Sequence, residues 1–236
     1  MATEAVETRG FGGWKTALAA GLLGAGVGGG AVAYVSRESV RDYLLENPEI
    51  LPEAMDRLRQ REAAKMISAN RAALETPFAG AWAGASDGDV VLVEFFDYAC
   101  GFCRKSNADV DRLLREDPKL KVVWREWPVL GPDSETAARA SLAAAQAGRF
   151  KPFFDTLFAS GRPTPEALAR ARSGLGLAAD LPAEVADGEL TKNFQLARGL
   201  EATGTPTFIV GDQILQGAVG YEALRDAIKE AREKKG

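Results

Sequence analysis

The chain contains no histidine, and only two of its 236 residues are cysteine. Without an imidazole there is no Ser-His-Asp triad, no Cys-His nucleophile pair and no His-ligated metal or haem within this chain. Two cysteines make no disulfide framework. Cys100 and Cys103 are instead one close pair. Neither sign of charge dominates. The 29 Lys and Arg against 33 Asp and Glu leave a net charge of −4 and a pI near 5.2, which argues against nucleic acid as a partner. No internal repeat is visible. A hydrophobic content of 46% with 26% charged residues excludes both a mainly disordered chain and a polytopic membrane protein. The length allows one or two domains with a substantial core.

One uncharged run stands out. Residues 16–35 lie between Lys15 and Arg37, and a helix of that length can span a hydrocarbon core. Six of these residues are glycine and six alanine, a poor interior for a helix in water. The position behind Arg9 and Lys15 is that of an export signal. The long leading region and the unbroken run favour an anchor that stays in the inner membrane. The alternative is cleavage after Ala31-Val32-Ala33 and a soluble product. Either fate puts both cysteines in an oxidising compartment, expected to be the bacterial periplasm.

Three regions follow from the patterning: residues 1–35, a helical arm over 36–75, and a folded body over 76–236. In the arm, Ser39 is placed to cap a first helix carrying Val40, Tyr43 and Leu44. Asn47-Pro48 breaks it, because the residue before proline avoids the helical region. A second helix is expected over Pro52 to Leu74, with a thin stripe of Met55, Leu58 and Met66. The arm reads as a spacer or as an oligomerisation segment.

Thr76 to Asp89 is rich in Gly, Ala and Pro and reads as a connection. Residues 90–96, apolar except for Glu94, read as a buried central strand. A helix over 104–116 and a strand over 119–127 complete a β-α-β unit. A helical insertion over about 133–202 is expected next, with helices over 134–147, 151–159, from Pro165, and over 190–202. Strands over 207–210 and 213–216, joined at Gly211-Asp212, and a helix over 221–234 close the chain. The fold class is α/β.

Cys100-Gly101-Phe102-Cys103 falls at a strand-to-helix junction. Unpaired N–H groups and the helix dipole stabilise a thiolate there, and thiolate is the nucleophile of disulfide exchange. Cys100 can attack a substrate disulfide, with Cys103 close enough to resolve the mixed disulfide. A zinc site lacks two further ligands, and a structural bridge over so small a loop constrains the unfolded chain little.

Glu94-Phe-Phe-Asp97-Tyr98-Ala-Cys100-Gly-Phe-Cys103 and Thr203-Gly-Thr205-Pro206-Thr-Phe-Ile-Val-Gly211 together resemble the DsbA/DsbG-type thioredoxin-fold oxidoreductases over residues 76–236. Tyr43-Leu-Leu-Glu-Asn-Pro48-Glu49 in the arm resembles the ScsC-like branch, some members of which form trimers through this segment and act as disulfide isomerases. The resemblance implies a thioredoxin-like fold with a helical insertion. It makes Cys100 the exposed nucleophile, Cys103 the buried resolving cysteine and Pro206 a cis-proline facing them. The Thr205 backbone would pair with substrate, and Glu94 would be a buried acid taking the Cys103 proton. No cofactor is expected beyond a redox-active Cys100–Cys103 disulfide, and no metal. Expected partners are cysteine-containing exported proteins, a membrane redox partner and, through residues 36–75, a homotrimer.

Gly101-Phe102 departs from the Pro-His dipeptide of the strongly oxidising members, so a less extreme potential is expected. Phe102 reads as exposed and substrate-facing, Phe96 as core, and Trp124 and Trp127 as packing. The competing reading is a copper-tolerance protein holding Cu(I) between the two thiolates. It leaves Glu94 and Pro206 without a role.

Overall fold

The computed structural model describes residues 39–177 and 180–235. The expectations for residues 1–35, and for the first residues of the arm, lie outside them. The described residues fall into two units, one up to Leu58 and one from Arg59 onward. In the first, residues 39–46 are helical (α1). The chain leaves the helix at Asn47, whose N–H and side-chain Nδ2 both donate to the Tyr43 carbonyl at 2.9 Å. Proline at 48 thus ends α1 as its restricted geometry requires. Helix α2 (Ile50–Glu75) follows and runs on into the second unit.

The second unit holds a five-stranded sheet, ordered β1-β3-β2-β4-β5. Its strands are β1 (Trp82–Gly84), β2 (Val90–Phe96), β3 (Leu120–Glu126), β4 (Thr207–Val210) and β5 (Gln213–Gln216). β2 runs parallel to β3, and α3 (Gly101–Glu116) connects them; the other pairings are antiparallel. Helices α4 (Pro132–Gln146), α5 (Phe150–Ala159), α6 (Pro165–Gly174) and α7 (Ala183–Gly199) form the insertion, and α8 (Tyr221–Glu233) closes the chain. This is the thioredoxin-like α/β fold anticipated from the motifs.

Successive strand residues point to opposite faces. Leu92, Phe96, Val122, Trp124, Phe208 and Val210 therefore share one core with Cys103 and with residues of α4, α5, α6 and α8. Val93, Phe95, Val123 and Ile209 face Ile67 and Leu74 of α2 and Leu196 and Ala197 of α7. Glu94 has the parity of the first face. A cluster of Phe96, Tyr98, Phe154 and Phe158, with tilted or edge-on ring pairs at 4.7–6.0 Å, lies beneath the turn that carries the cysteines.

Two elements away from the cysteines differ most from expectation. The stretch read as a plain connection contains β1, three residues paired to the outer side of β3. Gly84 closes it with φ +89°, where a Cβ would lie 2.2 Å from the Leu120 carbonyl oxygen, so the glycine that hid the strand is what lets it approach. Helix α7 begins at Ala183 behind Pro182, earlier than the expected 190, because its first turns are polar and show no apolar period.

Arg125, near the end of β3, is buried. Its guanidinium donates to the carbonyls of Leu74 (3.0 Å), Thr76 (2.7 Å) and Ala73, and to Asn193 Oδ1 (2.8 Å) and Glu189 Oε1 (3.2 Å). The last carbonyls of a helix have no partner within it. One buried arginine supplies them for α2 and ties α7 to the same point.

Candidate active site

Cys100 is the N-cap of α3. It has extended backbone angles (φ −78°, ψ 115°), and its Sγ accepts the Cys103 N–H at 3.3 Å. The helix thus starts at Gly101 rather than 104: the Cys-Gly-Phe-Cys stretch is itself the first turn. A sulfur in the N-cap position takes the place of the usual oxygen acceptor, and its charge meets the positive end of the helix. The Cys100 thiol also points at the Thr205 carbonyl, 3.2 Å away, just before a cis Thr205–Pro206 bond. Both cysteines are free thiols. Cys100 is only 5% exposed and Cys103 0%, so Cys100 is more covered than an exposed nucleophile was expected to be. Cys100 belongs to the core cluster of Cys103 and the aromatic rings, and the Thr205 carbonyl lies against its sulfur.

The two sulfurs are driven apart in acidity. The Cys103 thiol donates to Cys100, and this hydrogen bond does most to bring the Cys100 thiol down to about 5. The Thr205 side chain and the N–H groups of Cys103 and Phe102 act the same way, against the opposing effect of burial. Burial pushes the Cys103 thiol far above the ordinary range, and its bond to Cys100 and the nearby Glu94 charge push it further.

Glu94 is fully buried on the face of Cys103. It pairs in register with Trp124 of β3 and Phe208 of β4. Trp124 Nε1–H donates to Glu94 Oε2 at 2.9 Å, so Trp124, read from sequence as packing, is also a polar partner of the acid. Among the described residues Oε1 has no hydrogen-bond partner. Burial raises the Glu94 carboxyl to about 8. The Trp124 bond opposes this, and the charges of Cys100 and Asp111 add to it.

Asp97 carries a role that sequence reasoning missed. Its Oδ1 accepts the Ala99 N–H at 2.8 Å, and its Oδ2 accepts the N–H groups of Val129 (2.8 Å) and Leu130 (2.9 Å). It therefore shapes the turn leading to Cys100 and ties it to the loop after β3. An aspartate that bonds the backbone two residues on is the available signal. A second buried acid, Glu126, accepts from Ser141 Oγ at 2.8 Å, and Ser141 is bonded to the Tyr98 hydroxyl at 2.8 Å. Burial raises the Glu126 carboxyl to about 7. Around this buried machinery the surface is apolar: Phe102 is 67% exposed, and Val129 and Leu130 are also exposed. Phe96 is core. The structure therefore brings Cys100, Cys103, Glu94, Thr205 and Pro206 to one place, with Phe102 at its rim.

A low-pKa cysteine at a helix N-terminus, one turn from a buried thiol and facing a cis-proline loop, defines a thioredoxin-like thiol-disulfide oxidoreductase fold. Residues 91–229 match the DSBA-like thioredoxin domain, and the chain belongs to that family. Residues 37–65 match the copper resistance protein ScsC N-terminal domain. Among solved structures, a thioredoxin-like oxidoreductase from Silicibacter pomeroyi is 37% identical, with a TM-score of 0.64 over 68% of this chain and 95% of that one. A linker-deletion mutant of Proteus mirabilis ScsC is 28% identical, with a TM-score of 0.70 over 86% and 96%. Among curated proteins, a Na(+)/H(+) antiporter NhaA 3 of Salinispora tropica is 31% identical over 156 residues, 63% of this chain. The chain spans about a quarter of the length of that antiporter, 24% of it.

Proposed function

We propose that the protein is an exported thiol-disulfide oxidoreductase that exchanges disulfides with cysteine-containing proteins through Cys100 and Cys103. The observation that carries this reading is Cys100 itself: a helix N-cap sulfur with its thiol drawn to about 5, set against the Thr205 carbonyl. In the oxidising direction a substrate thiolate attacks Cys100 Sγ of the Cys100–Cys103 disulfide. Cys103 leaves and takes a proton from Glu94. A second substrate thiolate then attacks the substrate sulfur, and Cys100 departs as thiolate. Two electrons pass from the substrate dithiol to the protein, and the reverse sequence reduces a substrate disulfide. Phe102, Thr205 and Pro206 form the substrate-facing edge.

A Cys100 thiol near 5 lies between the values of about 7 for thioredoxin and about 3.5 for DsbA, which supports a moderate potential. The site then works as an isomerase or a moderate oxidase, recharged by a membrane redox partner. In the arm, Val40, Tyr43, Leu45, Leu51, Met55 and Leu58 leave large apolar side chains exposed. Together with the ScsC match over 37–65, this supports a homotrimer through residues 36–75, the arrangement that favours isomerase. The periplasmic setting, with residues 16–35 as anchor or cleaved signal, rests on sequence. Among the described residues no helix is long and apolar enough to cross a membrane, and 16–35 lie outside them.

The test is reactivation of a scrambled disulfide substrate by reduced protein, with the mass in solution measured alongside. Reactivation by a trimer is expected. A protein whose thiols exchange but which reactivates nothing is an oxidase or reductase. One that binds stoichiometric Cu(I) and exchanges no disulfide is the copper carrier instead.

A further inference from the structure

The segment that faces Cys100 has little backbone support of its own. Ala202 N–H bonds the Ala197 carbonyl (2.9 Å) and Gly217 N–H the Pro206 carbonyl (2.8 Å), but among the described residues no backbone–backbone hydrogen bond involves 203–205. Side chains hold them instead: Cys100 Sγ at the Thr205 carbonyl, the Thr207 hydroxyl at the Gly204 carbonyl and, at Thr203, one side chain from the edge strand. Gln216, the last residue of β5, pairs in register with Thr207. Its Oε1 accepts the Thr203 N–H at 3.2 Å and the Thr203 hydroxyl at 3.1 Å. It also lies 3.0 Å from Thr207 Oγ, whose single hydrogen is closer to the Gly204 carbonyl at 2.6 Å. On its other side, Gln216 Nε2 donates to the Glu201 carbonyl at 3.3 Å. A side chain on an exposed edge strand ordinarily turns to water. This one spans both ends of the loop.

We infer that Gln216 is a positioning residue for exchange: its amide clamps residues 201–207 and so sets the Thr205 backbone against Cys100 and an incoming peptide. The inference rests on the exchange reading above. Gln216 does not touch the sulfurs. It acts through Thr203 and Thr207, on either side of the Thr205–Pro206 pair. The oxygen, which holds Thr203 two residues before Thr205, does most of this, and the nitrogen adds a longer bond to the Glu201 carbonyl. The consequence is selective. A peptide disulfide, which must lie along the Thr205 backbone, depends on the clamp. A small alkylating reagent, which needs only the Cys100 sulfur, does not.

The experiment compares the wild type with Gln216→Leu, Gln216→Glu and Thr203→Ala on two reactions: exchange with a short peptide disulfide, and alkylation of Cys100 by iodoacetamide at pH 8. Losing the hydrogen bonds to Thr203 and Glu201 is expected to slow peptide exchange about tenfold in Gln216→Leu, with alkylation unchanged within about twofold. Gln216→Glu keeps the acceptor for Thr203 and is expected to recover to within about threefold of wild type. Thr203→Ala, which loses one hydroxyl donor, is expected to fall about threefold. Peptide exchange unchanged in Gln216→Leu and Thr203→Ala overturns the inference, as does a Gln216→Glu variant as slow as Gln216→Leu. Equal losses in both reactions also overturn it, because the effect then lies at the sulfur. Wild-type protein that alkylates but exchanges with no peptide overturns the exchange reading instead, whatever the variants do.

Discussion

Replacing Glu94 by glutamine should make the stability of the reduced protein less dependent on pH, by a calculable amount. In the unfolded chain the carboxyl titrates near 4.5, whereas in the folded protein burial holds it protonated to about 8. The folded state therefore binds the extra proton between those values, and stability falls as pH rises through that window. Each pH unit is worth about 1.4 kcal/mol, so between pH 4.5 and 7 Glu94 should remove about 3 kcal/mol of stability. A neutral glutamine of the same shape changes the baseline through its contact with Trp124, but that offset does not vary with pH. Contributions from Cys100 and Glu126 are common to both proteins and cancel in the difference. Urea unfolding of wild type and Glu94→Gln, each with excess reductant, should thus give a stability difference that shifts toward the variant by about 3 kcal/mol from pH 4.5 to 7. Parallel curves, with a difference constant to within about 0.5 kcal/mol, would refute the argument that this carboxyl stays protonated. The same variant should slow resolution of a mixed disulfide about a hundredfold if Glu94 moves the Cys103 proton.

Three further outcomes are expected. Alkylation of Cys100 should rise through a midpoint near pH 5, and Cys103→Ala, which removes the thiol donor, should move the midpoint up more than Cys103→Ser, which keeps one. Arg125→Met should cost roughly 3–5 kcal/mol in denaturant unfolding, because it strips a buried cation from Glu189 and leaves the last carbonyls of α2 unpaired; hydrogen exchange should localise the loosening to α2 and α7. Asp97→Ala should leave the N–H groups of Ala99, Val129 and Leu130 without their acceptor, costing about 2 kcal/mol and slowing peptide exchange.

The parts of this arrangement that sequence reveals are those written in consecutive residues. The run over 90–96 is apolar on both parities, which is what a central strand covered on two faces requires, and one acid inside it is conspicuous for that reason. The same local logic gives the cysteine pair and the closing β-β-α. Contacts fixed by register are not written locally. Trp124 can donate to Glu94 only because β2 and β3 align those two residues. Arg125 follows it and looks like any charge at a strand end, yet its partners are carbonyls at 73, 74 and 76 and side chains at 189 and 193. Gln216 ends a strand whose pattern marks it only as an edge. In each case a polar side chain is explained by atoms that the topology, not the neighbouring sequence, delivers.

The acidities at the site also give the proposed cycle a direction. In the reduced protein at neutral pH, Cys100 is thiolate, Cys103 is thiol and Glu94 is protonated, so no group nearby is ready to take the Cys103 proton. Part of that state is maintained by Cys100 itself. Its bond to Cys103 and its charge both raise the Cys103 thiol, and its charge helps raise the Glu94 carboxyl. When Cys100 joins a substrate in a mixed disulfide, its charge disappears and the bond that it accepted weakens. The upward push of Cys100 on the Cys103 thiol and the Glu94 carboxyl then ends, while burial goes on holding both above their ordinary values, so in the proposed cycle Cys103 gives up its proton more readily than in the free site. Capture of substrate by the first cysteine thus primes the second, and a free reduced site is kept from spending its resolving thiol before a substrate is bound.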